Sequence, residues 1–230
     1  KQFFFAAASS GVTDLVFVVD SSPSITATDP DGWTKIKSFI KKFADQFTIS
    51  QSDTRVGLAL FNDDAMAGHD LPGVNPEIPD NIDFAHLTDF SNAVELKEAI
   101  DALAFGSSRT NIAAAIRAAR EAILARSNGD REDAPNVVIV LSVGGIAADQ
   151  QSELSDEAAK LKEKAMVALV GITNNVDVPE LEQIATNENL VMTVPSFSAL
   201  VGMEASLLTK INVALLTQEL AVTPPSTPSN

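Results

Sequence analysis

The run Asp20-Ser21-Ser22-Pro23-Ser24 puts one carboxylate and three hydroxyls on five consecutive residues. In a tight loop, alternate spacing aims Asp20, Ser22 and Ser24 at one point. Hard oxygen donors of this kind suit Mg²⁺, Mn²⁺ or Ca²⁺ rather than zinc. Thr110 follows another loop, opens a helix, and adds a further hydroxyl. Taken alone, such a run reads first as a turn with a helix cap, and only its place in the α/β alternation favours a metal loop. His69 and His86, the only histidines, lie without the paired spacing of a zinc site and read as surface polar groups, as do Asp63 and Asp64. The chain has no G-x-S-x-G elbow, no GxxxxGK[ST] phosphate loop and no G-x-G-x-x-G fingerprint. With no cysteine, thiolate metal sites, disulfides and cysteine nucleophiles are excluded.

The elements that must position these groups are legible from the apolar pattern. Residues 14–19 (DLVFVV), 56–61 (VGLALF), 136–142 (NVVIVLS) and 166–172 (MVALVGI) are continuous apolar runs of strand length, as expected for strands buried on both faces of a parallel sheet. A further strand is expected at 190–194. Ile36, Phe39, Ile40, Phe43 and Phe47 recur at helical spacing, with Trp33 as a packing residue at the start of that helix. Leu96, Ile100 and Leu103 mark a helix closed by Gly106, and Ile112, Ile116, Ala119 and Ile123 an alanine-rich one. Leu154, Ala158, Leu161 and Ala165 mark the next, Leu181 and Ile184 a short one, and a last helix is expected over about 197–220. Residues 62–89, with Pro72, Gly73, Pro76 and Pro79, read as a long irregular connection, a type that is often functional. The alternation argues an α/β fold, a doubly wound and mostly parallel central sheet with helices on both faces. Right-handed crossovers then line every strand-to-helix loop along one edge, where such folds bind ligands.

Thirty-one acidic against sixteen basic residues leave a formal charge of −15, which repels nucleic acid and favours cations or basic partners, or simply aids solubility. No stretch approaches the ~20 apolar residues of a membrane span. Residues 1–13 are read as an N-terminal extension, 14–220 as one domain and 221–230 as a Pro/Ser/Thr-rich linker or tail. The opening KQFFFAAASS fits either the remainder of a signal peptide or a segment packing Phe3 to Phe5 on the domain. No N-x-[ST] glycosylation signal occurs.

DLVFVVDSSPS resembles the opening strand and metal loop of von Willebrand factor A domains, which include the integrin inserted domains. RVGLALF is similar to the family's second strand, and LKEAIDALAFGSSRTNIAAAI to its helix, threonine loop and next helix. APNVVIVLSVGG resembles its fourth strand and turn, and VALVGI with ELEQIA its fifth strand and following helix. The likeness runs from about residue 14 to 216. It implies a Rossmann-like von Willebrand factor A fold and a metal-ion-dependent adhesion site with Asp20, Ser22, Ser24 and Thr110 as metal ligands. The family's fifth position, usually the aspartate of a Thr-Asp-Gly pattern, falls on Val143, and the Gly-Gly or Gly-x before the threonine is changed to Ser107-Ser108-Arg109.

The loss of that aspartate implies weaker metal binding. Two charges about 4 Å apart interact by about 4 kcal/mol at an effective dielectric of about 20, before desolvation. Less anionic charge at the ion would also draw an acidic ligand more strongly. Asp149 offers a substitute carboxylate, but the Gly144-Gly145 turn directs it elsewhere. Arg109 reads as a solvent-facing loop charge or as a fixed cation beside the site, with the former favoured. The resemblance implies a non-enzymatic adhesion module, extracellular or at the cell surface, holding Mg²⁺ (or Mn²⁺ or Ca²⁺), weakly or not at all, and binding a carboxylate of collagen or another matrix protein. The alternative is a metal-independent structural domain used in matrix or complex assembly. An aspartyl phosphotransferase of the haloacid dehalogenase kind would need a second aspartate where Ser22 stands, so catalysis is disfavoured.

Overall fold

The computed structural model describes residues 11–61, 83–103, 111–146 and 150–222. Their elements run β1 (Thr13–Asp20), α1 (Ser24–Thr28), α2 (Gly32–Ala44), β2 (Thr54–Phe61), β3 (Asp83–Ala85), α3 (Ala93–Ala102) and α4 (Ile112–Ala118). Then come β4 (Asn136–Ser142), α5 (Gln151–Lys162), β5 (Met166–Ile172), α6 (Val178–Ile184), β6 (Val191–Val194), α7 (Phe197–Leu200) and α8 (Glu204–Val222). The six strands form one sheet in the order β3-β2-β1-β4-β5-β6. All pairings are parallel except that of β3 with β2.

Burial explains why the strands read as unbroken apolar runs. Every residue of β1 and β5 is buried, because helices cover both faces of the sheet and no side has to face water. Helix α2 packs against α3, α7 and α8, while α4 packs against α5, which in turn meets α6. The buried stripe of α2 is Trp33, Ile36, Phe39, Ile40 and Phe43, and Phe43 meets Phe17 of β1 edge to face with ring centroids 5.9 Å apart. Trp33 is buried, and its indole N–H donates to the Leu103 carbonyl at 2.9 Å, tying α2 to the end of α3.

The structure departs from the sequence expectations in several places. The expected last helix is two helices: Gly202, with φ of +100°, turns the chain between α7 and α8, a conformation glycine adopts without steric cost. The alanine-rich helix is α-helical only to Ala118 and continues as a π-turn over Ala119–Ile123, where Leu124 N–H reaches back to the Ala119 carbonyl at 2.9 Å. Lys164 donates to the carbonyls of Arg120 and Leu124, satisfying groups that the wider turn presents outward. The segment expected to be irregular contributes β3, an antiparallel edge strand too short to show a periodic pattern. Gly106, the Phe3 to Phe5 segment and residues 223–230 lie outside the described residues. Among the described residues, no helix is long and apolar enough to cross a membrane.

Candidate metal-ion adhesion site

The strand order places the chain's topological switch between β1 and β4. From β1 the chain winds outward through β2 to one edge, then returns to β4 and winds through β5 to β6 at the other. The crevice outside the carboxyl ends of the two strands at such a switch is where open α/β sheets bind ligands. Asp20 is the last residue of β1, and Val143 is the first residue after β4.

The loop after β1 is built to present oxygens. Asp20 is 2% exposed. Its Oδ1 accepts the Ser22 backbone N–H at 2.9 Å, and its Oδ2 accepts the Val143 backbone N–H at 3.0 Å. Ser22 Oγ and Ser24 Oγ are 2.6 Å apart. Pro23 fixes the helical φ of −61° just before α1, and the fully buried Ile25 pins that helix to the core, so Ser24 stays exposed at its start. Burial pushes the Asp20 carboxyl up to about 6, against the opposing pull of the Ser22 amide and hydroxyl and the Val143 amide. Every group acting on it is neutral, and no side-chain cation pairs with it among the described residues.

The predicted site residues therefore divide. Asp20, Ser22 and Ser24 converge. Thr110 lies outside the described residues, as do Arg109, Asp149, His69, Asp63 and Asp64; Asn111, directly after Thr110, caps α4 by accepting the Ala114 N–H at 3.0 Å. His86 stands apart from the site, just after β3, with its Nδ1 3.6 Å from Asp89 Oδ2 and its ring edge-on to Phe84. The Val143 side chain is 7% exposed and belongs to the apolar core.

A model of the von Willebrand factor type A domain matches residues 14–206. The chain belongs to this family. Among curated relatives, it is 27% identical over 179 residues to Matrilin-1 of Gallus gallus, covering 77% of this chain and 31% of that protein. It is 30% identical over 195 residues to Matrilin-4 of Mus musculus (83% and 28%), and 26% identical over 206 residues to the Collagen alpha-4(VI) chain of Mus musculus (88% and 8%). The chain thus spans less than a third of the length of these relatives. Among solved structures, proximal thread matrix protein 1 from the mussel byssus, described with a zinc-occupied MIDAS motif, superposes with a TM-score of 0.74 at 24% identity, covering 91% of this chain and 47% of that one. The manganese-loaded Plasmodium vivax TRAP protein superposes with a TM-score of 0.63 at 17% identity, covering 86% and 74%.

For a von Willebrand factor type A domain, the question is whether these residues fit a divalent cation. They do. Two amides and the Ser22 hydroxyl do not exhaust the acceptor sites of the Asp20 carboxylate, which leaves lone-pair capacity for a cation. The paired hydroxyls of Ser22 and Ser24 add neutral hard donors, and the buried carboxylate lacks the positive charge that a cation would bring. The set is poor in charge: among the described residues no group of three or more His, Cys, Asp or Glu side chains is placed to hold a metal.

Two groups near the site carry no sequence signal. The first is the Val143 amide, which touches Asp20 whatever side chain the residue bears. The second is Glu180 of α6, whose Oε2 accepts the Ile146 N–H at 3.1 Å and whose Oε1 accepts from Gln151 Nε2 at 2.6 Å. Both contacts join chain segments that only the finished sheet brings together.

Proposed function

We propose that this domain is a non-enzymatic protein-binding module in an extracellular matrix or cell-surface setting, and that Asp20, Ser22, Ser24 and Thr110 hold a divalent cation at the switch between β1 and β4. The observation that carries this reading is the Asp20 carboxylate, buried at the ligand-binding crevice of the sheet and contacted by neutral groups alone. A bound cation supplies a Lewis-acidic position for a carboxylate oxygen of a partner protein. The chain's own part is to present the oxygens and to shield them from competing water. Matrilin and collagen VI relatives, and a structural neighbour named as a matrix protein, support a matrix protein as the partner and an extracellular location. They support equally a role in which no bond is made or broken.

The test is the melting temperature in Mg²⁺, Mn²⁺ or Zn²⁺ against EDTA, zinc and manganese being the ions named for the two structural neighbours. Saturation at about 100 times Kd stabilises a fold by about 2.7 kcal/mol, a shift of several degrees for a domain of this size. Asp20→Asn is expected to abolish the shift. Identical curves with and without metal would remove this reading.

Val143 favours a second reading, a metal-independent von Willebrand factor A domain used for assembly. Its side chain is packed in the core, where it brings no charge to the site. On that reading, matrix-protein binding persists in EDTA.

A further inference from the structure

The loop that follows β4 keeps one amide on Asp20, and beyond the buried Val143 side chain it has little local means of holding its course. After Val143 come two glycines. Gly144 has φ of +128°, with nothing within 4 Å of the position a side chain would take, and Gly145 is exposed. The next fixed point is the Ile146 amide, held by Glu180 Oε2 at 3.1 Å. The other oxygen of that carboxylate takes Gln151 Nε2 at 2.6 Å, in the first turn of α5. One side chain on α6 thus reaches both flanks of the loop.

Glu180 is itself well placed to serve as a fixed point. Its amide donates to Asp177 Oδ1 at 3.2 Å in the cap of α6, Pro179 stands in the first turn, and the buried Leu181 and Ile184 anchor the helix to the core. The chain enters α6 from β5 through Thr173, which holds φ of +82° while donating its N–H to the Val194 carbonyl at 2.8 Å. A β-branched residue in that region costs of order 1–3 kcal/mol and persists only where its surroundings over-determine it.

We infer that Glu180 is the positioning residue of the adhesion site: by gripping Ile146 and Gln151 it holds the loop after β4 so that the Val143 amide stays on Asp20 Oδ2. The metal side of this inference rests on the function proposed above; the loop side does not. Outer groups that orient a metal's ligands affect affinity about 10- to 100-fold.

The experiment compares Glu180→Ala with Glu180→Gln in two readouts: amide hydrogen exchange in EDTA, and Mn²⁺ titration followed by electron paramagnetic resonance. Glu180→Ala is expected to speed exchange at Val143 and Ile146 about tenfold while Val138 to Val140 inside β4 stay protected. It is also expected to weaken Mn²⁺ binding about tenfold. In Glu180→Gln the side-chain oxygen still accepts from Ile146, and its NH₂ meets the Gln151 oxygen after that amide turns over, so both readouts return to within about twofold of wild type. Gln151→Ala, at an exposed position, is expected to move both readouts in the same direction by less, and serves should Glu180→Ala fold poorly. Unchanged exchange at Val143 in Glu180→Ala and Gln151→Ala, or a Glu180→Gln as defective as the alanine variant, would overturn the inference. Absence of any Mn²⁺ signal from the wild-type protein would instead remove the proposed metal function, leaving the exchange measurement to decide the role of Glu180.

Discussion

The Val143 N–H and Asp20 Oδ2 are 3.0 Å apart, and this one bond joins the ends of the two strands between which the chain reverses its winding. Position 143 therefore serves the site through its backbone, while its side chain turns into the core. That division separates the loop's placement, which the backbone amide supplies, from charge, which a valine side chain does not bring.

Val143→Asp adds a carboxylate at this position and should show its cost. In EDTA a carboxylate set in the apolar surroundings of the Val143 side chain, close to the buried Asp20, has no cation to offset it, so the variant is expected to melt below wild type. With Mg²⁺ the order should narrow or invert, because two carboxylates near one ion gain more from it; charges about 4 Å apart interact by about 4 kcal/mol at an effective dielectric of about 20. Calorimetric titration with Mg²⁺ checks the affinity, and an unchanged isotherm would contradict the assignment of position 143 to the site.

The Asp20 carboxyl makes the metal-free domain pH-dependent in a direction opposite to that of an ordinary ion-paired aspartate. Its folded value is raised to about 6 from 3.8 in the unfolded chain. Between those values the folded state holds a proton that the unfolded state has released, so stability in EDTA falls as pH rises from about 4 to about 6 and levels off above. A shift of about two units corresponds to about 3 kcal/mol. Urea denaturation of wild type and Asp20→Asn across pH 4 to 8 should show the difference between the two varying by that order in this window. A constant difference would mean that Asp20 is not the group responsible.

The fold was legible because its strands are buried on both faces and so carry unbroken apolar runs: β4 and β5 begin and end where their sequences do. The short elements were not. Three residues of β3 show no period, and nothing in FSALVGMEASLL distinguishes a continuous helix from two until Gly202 is seen at positive φ. At the site, Asp20, Ser22 and Ser24 were readable because they are close in sequence and lie in one loop. The Val143 amide and the grip of Glu180 on Ile146 cross 123 and 34 residues of chain, and neither depends on a residue pattern.

The opposite edge of the sheet offers a control for these site variants. Asp14 is fully buried at the start of β1, and Arg131 meets it with Nη2 at 2.7 Å, Nε at 2.9 Å and its own backbone N–H at 2.8 Å. The same guanidinium donates to the carbonyls of Thr13 and Asp53. Burial raises the Asp14 carboxyl even against that guanidinium, so the arginine offsets a cost that would otherwise stand alone. Breaking a buried pair from one side costs about 3–5 kcal/mol. Arg131→Ala should lower stability by that order in urea denaturation while leaving the metal-induced rise in melting temperature intact, since the clamp lies at the far end of β1 from Asp20. A variant that lost the metal response but kept its stability would reverse the roles assigned to the two edges.

Gly202 tests whether the break between α7 and α8 is imposed by the fold or chosen by the glycine. Its φ is +100°, and no heavy atom lies within 4 Å of the position a Cβ would occupy, so Gly202→Ala meets no steric clash and only the cost of the left-handed backbone. That cost is about 1–2 kcal/mol for an L-residue. The expected outcome is a loss of that size in chemical denaturation with an unchanged far-ultraviolet circular dichroism spectrum, because Phe197 and Leu200 on one side and Leu207 and Ile211 on the other are buried and fix both helices in place. A gain in helical signal with no loss of stability would mean that α7 and α8 fuse when the glycine is removed, and that packing does not enforce the turn.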